Sequence, residues 1–233
     1  MIIERKDSYH FDELQLQLGN LTNYSPEDIR GFLKASVEIR QRYHAAMKEI
    51  STKLEILDEA FALHHSYNPI HHMECRIKRP QSVIAKMKRK DIPLGLDSII
   101  EHISDIAGIR VVCCYLHDIY KVSELLEQQR DITLLRRTDY VECPKPNGYR
   151  SLHLVVSVPV FLTDSVFEVP VEIQMRTIAM DVWASLEHHL TYKATEDMQA
   201  DVKQELLDCA QDIAKIDMRM QDILKKTNRS VNQ

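Results

Sequence analysis

Apolar residues recur along this chain in two rhythms, and each change of rhythm marks an element. After Ser25-Pro26-Glu27-Asp28, the residues Ile29, Phe32, Ile39, Tyr43, Met47, Ile50, Leu54, Leu57 and Phe61 return at helical intervals. That opening carries an N-cap serine, a proline at the first helical position and acids in the first turn, which predicts a helix start. The stripe is a packing face on one long helix, or on two broken near Gly31. Residues 1–24 read as an irregular or partly ordered lead, and a loop at Asn68-Pro69 ends the first helical region.

Beyond that loop the rhythm alternates. "ECRIKR" predicts a short strand, and "PQSVIAKMKRK" a helix opening near Ser82. "DIAGIRVVCCYL" (105–116) is β-branched and strand-like, "DIYKVSELLEQQRD" is the helix after it, and "TLLRRTDYVE" is a short extended segment. "YRSLHLVVSVPVF" and "VFEVPVEIQMRT" predict two further strands joined by a turn near Thr163-Asp164. "IAMDVWASLEHHLTYK" and 197–227 read as helices. In the last, Leu206, Ala210, Ile213, Met220 and Leu224 form a near-heptad stripe that Asp217 interrupts. The predicted class is mixed α/β: a sheet of roughly four or five strands, helices against it, and long helices at both ends. The expected divisions are an N-terminal helical region over 1–75, a core over 76–195 and a C-terminal helix over 196–233.

Period two also sorts the polar residues. Val169, Val171, Ile173 and Met175 point one way, while Glu172, Gln174 and Arg176 point the other. A solvated outer face would look the same. In "YRSLHLV", however, Tyr149, Ser151 and His153 share one side, and antiparallel pairing of the two strands would set Tyr149 and His153 beside Glu172 and Gln174. Asn147-Gly148 supplies a tight turn before them. A tyrosine ring is a stacking platform for a nucleobase, and Lys145 and His153 are donors suited to phosphate. A core tyrosine with its hydroxyl tied back is the plainer reading of Tyr149 taken alone.

Composition narrows this further. The net charge is −5 over 233 residues, which excludes a generally basic nucleic-acid binder. Yet "RIKRPQSVIAKMKRK", from Arg76 to Lys90, holds seven Lys or Arg and no acid, which points to a local anionic ligand. No glycine-rich phosphate loop is present, so a nucleotide here would be held by side-chain cations. Arg76 and Arg110 are candidates to sandwich a base, and Lys78, Lys86 and Arg89 to meet its phosphates. Asp105 and Glu172 are candidates for the two carboxylates of a Mg²⁺ site. Asp105 can share a site with Arg110 only from a turn or bulge ahead of the strand.

Five cysteines without a C-x-x-C pair argue for reduced thiols, and no run of about 18 apolar residues or secretory leader is seen, so a cytoplasmic protein is expected. The histidines His64, His65, His71 and His72 lack any metal-binding spacing and are not taken as a site.

Together "RIKRPQSVIAKMKRK", "DIAGIRVV", "KPNGYRSLHLVV", "VEIQMRT" and "WASLEHHLTYK" resemble the synthetase domain of the RelA/SpoT family, and most closely its stand-alone small alarmone synthetases of the RelP type. The resemblance implies a nucleotidyltransferase-like synthetase fold and a GTP diphosphokinase of the bacterial stringent response. Such an enzyme moves the β,γ-pyrophosphate of ATP to the ribose 3′-hydroxyl of GDP or GTP, giving AMP and (p)ppGpp. It further implies that Arg76 and Arg110 stack on adenine and that Lys78, Ser82, Lys86 and Arg89 hold the ATP phosphates. Asp105 and Glu172 would bind Mg²⁺, Glu172 also helping to deprotonate the hydroxyl. Tyr149 would stack on guanine, with Lys145, Asn147, His153 and Gln174 as acceptor-side contacts. A homotetramer is implied as well. No DNA or membrane partner is expected, and RNA binding is compatible with the cationic run but not predicted. His117-Asp118 is read as a helix entry capped by Asp118, so no hydrolase activity is expected. The alternative is a catalytically silent nucleotide- or RNA-binding relative.

Overall fold

The computed structural model describes residues 2–4, 26–65, 67–92, 96–103, 105–193 and 199–231. Among these residues six strands form one mixed sheet: β1 (Ile2–Glu4), β2 (Ile70–Ile77), β3 (Ala107–Cys113), β4 (Thr133–Asp139), β5 (Leu152–Phe161) and β6 (Val166–Thr177), in the order β1-β2-β3-β6-β5-β4. The pairs β1–β2 and β3–β6 are parallel and the others antiparallel. One strand more is present than the alternation predicts, because β1 is three residues long and owes its existence to a partner about 70 positions away. It also replaces, over those residues, the irregular lead expected there. The rest of that lead, and the N-cap expected at Ser25, lie outside the described residues.

Among the described residues six helices pack around the sheet: α1 (Pro26–His65), α2 (Pro80–Arg89), α3 (Leu96–His102), α4 (Leu116–Glu127), α5 (Ile178–Lys193) and α6 (Gln199–Val231). Helix α1 runs 40 residues without a break at Gly31. Its stripe of Ile39, Tyr43, Met47, Ile50 and Leu54 is buried across β2, β3, β5 and β6. Facing it are the inward residues of the central strands, among them Ile109, Val111, Leu152, Leu154, Ile173 and Met175, all at most 1% exposed. Burying a large aliphatic side chain is worth about 1.5–3 kcal/mol, so this layer is what holds helix and sheet together. Strands β1 and β2 begin before residue 76, so the N-terminal region and the core share one sheet.

Three local details differ from the pattern-based reading. Helix α2 opens at Pro80 rather than Ser82, with Arg79 at the N-cap, because proline's fixed φ suits the first helical position. Asp118 caps α4 from its third position, where Oδ2 accepts the Tyr115 N–H at 3.0 Å, and not as the N-cap residue itself. In α6, Asp217 is part of the buried face with Ala210, Ala214 and Gln221, while Met220 is 47% exposed. Thr177 Oγ1 donates to Asp217 Oδ2 at 2.7 Å, and this bond satisfies the carboxylate that looked like an interruption. Burial raises the Asp217 carboxyl above its ordinary value, against the opposing bond from Thr177.

Candidate active site

The polar row of β6 faces away from α1. Register places His153 opposite Gln174 and Val155 opposite Glu172 on one side, and Arg110 beside Gln174 and Gly108 beside Glu172 on the other. Arg110 in turn lies opposite Glu74, and Arg76 opposite Gly108, on β2. Four strands therefore contribute every second residue to a single polar surface. A cleft of about 300 Å³ opens on it, lined by Glu74, Arg76, Lys78, Asp105, Arg110, Glu172 and Gln174 among others. Gly108 keeps its floor open between the side chains of β2 and β6.

Asp105 precedes β3, in the turn that the sequence required of it. Lys78 and Lys86 both reach its Oδ2, at 2.6 and 2.8 Å. Burial pushes its carboxyl up, but the two ammonium groups outweigh that and hold it below its ordinary 3.8. Its other oxygen, Oδ1, is buried without a hydrogen bond. Glu172 is also ionised below its ordinary 4.5, for a different reason. His153 is the main cause, with Nδ1 3.7 Å from Oε1. Gln174 Nε2 adds a bond to Oε2 at 3.1 Å, while burial and the charge of Asp105 oppose both.

The side of the cleft built by β5 and β6 is a connected network. Tyr149 lies in the loop before β5, not within the strand as the alternation suggested. Its hydroxyl is nonetheless 2.8 Å from His153 Nε2 and accepts from Arg176 Nη2 at 2.6 Å. Arg176, 4% exposed, also donates to Gln174 Oε1 at 3.2 Å and to Asp181 Oδ1 at 3.2 Å. Asp181, in the first turn of α5, has Arg110 Nε 3.5 Å away as well. The Tyr149 ring meets Tyr140 and His153 edge to face, with centroids 6.0 and 5.8 Å apart, and exposed Lys145 sits over it at 4.7 Å. Asn147 Oδ1 accepts the Tyr149 N–H at 3.2 Å, and Gly148 takes φ +90°, a conformation that glycine adopts readily.

Arg76, Lys78, Asp105, Arg110, Glu172 and Gln174 thus meet in one cleft, Lys86 joins through Asp105, and Tyr149 and His153 adjoin through Arg176 and Glu172. Ser82 and Arg89, both on α2, are not among the lining residues; Ser82 is half-buried and Arg89 exposed in the last turn. Lys145 and Asn147 serve the Tyr149 turn rather than the cleft wall. Sequence reasoning missed Glu74, Tyr140 and Asp181, and noticed Arg176 only as a member of the polar row. Glu74 was within reach of it, since His72, Glu74 and Arg76 alternate in "HMECR". Among the described residues no group of three or more His, Cys, Asp or Glu is arranged to hold a metal, so any cation here would rest on the Asp105–Glu172 pair.

Comparison with known proteins places the chain in a family. Residues 75–197 match the model of the region found in RelA / SpoT proteins. The chain is 41% identical over 186 residues to GTP pyrophosphokinase YwaC of Bacillus subtilis, covering 80% of this chain and 89% of that one. Among solved structures, small alarmone synthetase 2 of B. subtilis superposes with a TM-score of 0.71 at 40% identity, over 80% of this chain and 97% of that one. Small alarmone synthetase 1 of the same organism, bound to its product pppGpp, gives 0.71 at 34% identity over 79% of this chain and 94% of that one. The same synthetase bound to AMPCPP gives 0.67 at 32% identity, covering 80% and 94%. With its matched segment holding every lining residue of the cleft but Glu74, this chain belongs to the RelA/SpoT family, alongside the small alarmone synthetases.

Proposed function

We propose that the cleft synthesises (p)ppGpp, moving the β,γ-pyrophosphate of ATP onto the ribose 3′-hydroxyl of GDP or GTP. The observation that carries this reading is the meeting of two half-buried, ionised carboxylates, Asp105 and Glu172, between a wall of cations and an aromatic platform. The relatives' names and the pppGpp- and AMPCPP-bound neighbours support it.

Arg76 and Arg110 take the adenine, and Lys78 and Lys86, released from Asp105 by a better anion, take the triphosphate, with Arg89 and Ser82 further along α2. Guanine stacks on Tyr149 in the place over the ring that exposed Lys145 holds. Arg176 is buried and tethered, so the platform stays put when the lysine swings out to the nucleotide's phosphates. Asn147 shapes the turn, and His153 and Gln174 orient Glu172. The 3′-oxygen attacks the β-phosphorus as its proton passes to Glu172. The bond from the β-phosphorus to the oxygen bridging to the α-phosphorus breaks, and AMP leaves with that oxygen. Such transfer asks mainly for positioning and charge neutralisation.

The residues fit a Mg²⁺ ion. Asp105 Oδ1 is buried and unbonded, and Glu172 faces the same cleft; hard divalent cations take one or two such carboxylates together with substrate phosphates. Mg²⁺ bound there supplies charge neutralisation of the triphosphate.

Self-association into a homotetramer belongs to the same proposal. Ile178, Val182, Leu186 and Leu190 are exposed at four-residue spacing along α5, and Ile216, Met220 and Ile223 at spacings of four and three along α6. A charge at Val182 or Leu186 is expected to lower the oligomeric mass seen by light scattering. All five cysteines are free, and no described helix is long and apolar enough to cross a membrane, which supports a cytoplasmic setting.

The deciding experiment incubates the protein with Mg²⁺, γ-labelled ATP and either GDP or GTP. Label on the guanine nucleotide with equimolar AMP is expected. ATP binding without transfer would favour a silent nucleotide-binding relative.

A further inference from the structure

The turn that carries Tyr149 rests on a helix outside the segment matched to the family. Gly148 packs so closely on α6 that a Cβ placed on it would lie 2.6 Å from Ala210 Cβ and 3.3 Å from Leu207 Cδ1. The first is shorter than real Cβ contacts and the second is tight, so the turn sits against α6 at a depth that leaves no room for a side chain at 148. The turn is stiff above the contact. Gly148 N donates to Lys145 O at 2.8 Å, Lys145 N to Tyr149 O at 3.1 Å, and Asn147 Nδ2 reaches Glu187 of α5 at 3.4 Å.

Helix α6 is itself anchored at three separate places. Trp183 Nε1 donates to Leu206 O at 2.8 Å, the His117 N–H to Gln221 Oε1 at 2.8 Å, and Thr177 Oγ1 to Asp217 Oδ2 at 2.7 Å. The last anchor matters most, because Thr177 follows Arg176, whose guanidinium holds the Tyr149 hydroxyl. The helix therefore acts on both ends of the same ring, beneath its backbone through Ala210 and beside its hydroxyl through Asp217 and Thr177.

We propose that α6 is a positioning element for the acceptor nucleotide, with Ala210 and Leu207 setting how far the Tyr149 platform stands above the cleft. This deepens the proposed synthetase reading and rests on it. Neither residue touches substrate; each acts through Gly148. The expected signature is a split between the two substrates, since the cations that take ATP lie on or just after β2, on α2 and on β3, away from this contact.

The test measures steady-state kinetics with ATP and GDP varied separately, and GDP binding by calorimetry, for the wild type, Ala210→Val, Ala210→Gly and Leu207→Ala. Ala210→Val is expected to raise the GDP KM and Kd about tenfold, or 1.4 kcal/mol, and to leave the ATP KM unchanged. Ala210→Gly, which removes one methyl and leaves the Leu207 contact in place, should move the same GDP constants by less. An unaltered GDP KM in Ala210→Val, or equal rises for ATP and GDP, overturns the proposal. Should Ala210→Val lose its melting transition, Leu207→Ala decides by the same split. A wild type that neither binds GDP nor transfers pyrophosphate removes the synthetase reading, and this one with it.

Discussion

The two halves of the cleft hold a carboxylate each, and they hold it differently. Asp105 is ionised by two lysines that come from one contiguous basic run, and little else fixes it. Its partners lie on flexible stems, 23% and 19% exposed, so they can exchange one anion for another. Glu172 is ionised within a closed circuit of His153, Tyr149, Arg176 and Gln174, in which each member bonds two or more others. In the proposed reaction the Asp105 half would meet the triphosphate and is built to swap partners, whereas the Glu172 half would meet the acceptor and is built to stay where it is. Exchange needs loosely held charges; orienting a hydroxyl needs a base whose position is already decided.

That contrast can be broken at several points. Glu172→Gln keeps the size and one oxygen of the side chain but cannot take a proton, and it is expected to cut kcat by about 10²–10⁴-fold while the melting temperature stays close to wild type. Near-normal turnover would remove Glu172 from the chemistry. Arg176→Gln tests the rigidity of the acceptor half. It leaves Asp181 and the Tyr149 hydroxyl short of a buried partner, and breaking such a pair costs about 3–5 kcal/mol, which chemical denaturation would report as a lower midpoint. An unchanged midpoint would mean that the circuit is not what holds this half together. Tyr149→Ala loses about 1–3 kcal/mol of stacking, roughly a 5- to 150-fold rise in the KM for guanine nucleotide, with the ATP KM unmoved.

The smallest effect concerns acid stability in the donor half. The folded Asp105 carboxyl lies below its unfolded 3.8, so its contribution to stability is present above that value and is lost as pH falls through the folded one. The wild type should therefore exceed Asp105→Asn in stability at about pH 6, and the difference should shrink as the pH falls below 3.8 and through the lower folded value. Its size lies between the roughly 0.2–1 kcal/mol of an exposed pair and the roughly 3–5 kcal/mol of a buried one. A gap that stays constant with pH would show that the lysines do not depend on the charge of Asp105.

The donor half was the more legible of the two. Its cations stand in one run, and a run of seven basic residues without an acid is visible without any fold. The acceptor half gave up its strand row, because period two is a local property of the backbone. It hid the members supplied by other elements: Tyr140 and Asp181 sit in segments whose patterns say nothing of a site. Asp217 misled for the same reason, since as part of a helical stripe it looked like an interruption and only Thr177, 40 residues earlier, makes it a buried partner.

By itself the sequence determined the type of most elements, the side of each strand that would be polar, and the chemistry gathered there. Those depend on φ/ψ preference and on spacings of two to four residues, which any stretch of chain carries with it. Tertiary structure decided the strand order, the short β1, the lysine pair on Asp105 and the burial of Arg176. It also set the seating of Gly148 on Ala210, 62 positions further along the chain. Each of these is a contact between segments whose local patterns are satisfied equally well by other arrangements. Only packing the whole chain at once, with every buried charge needing a partner, selects among them.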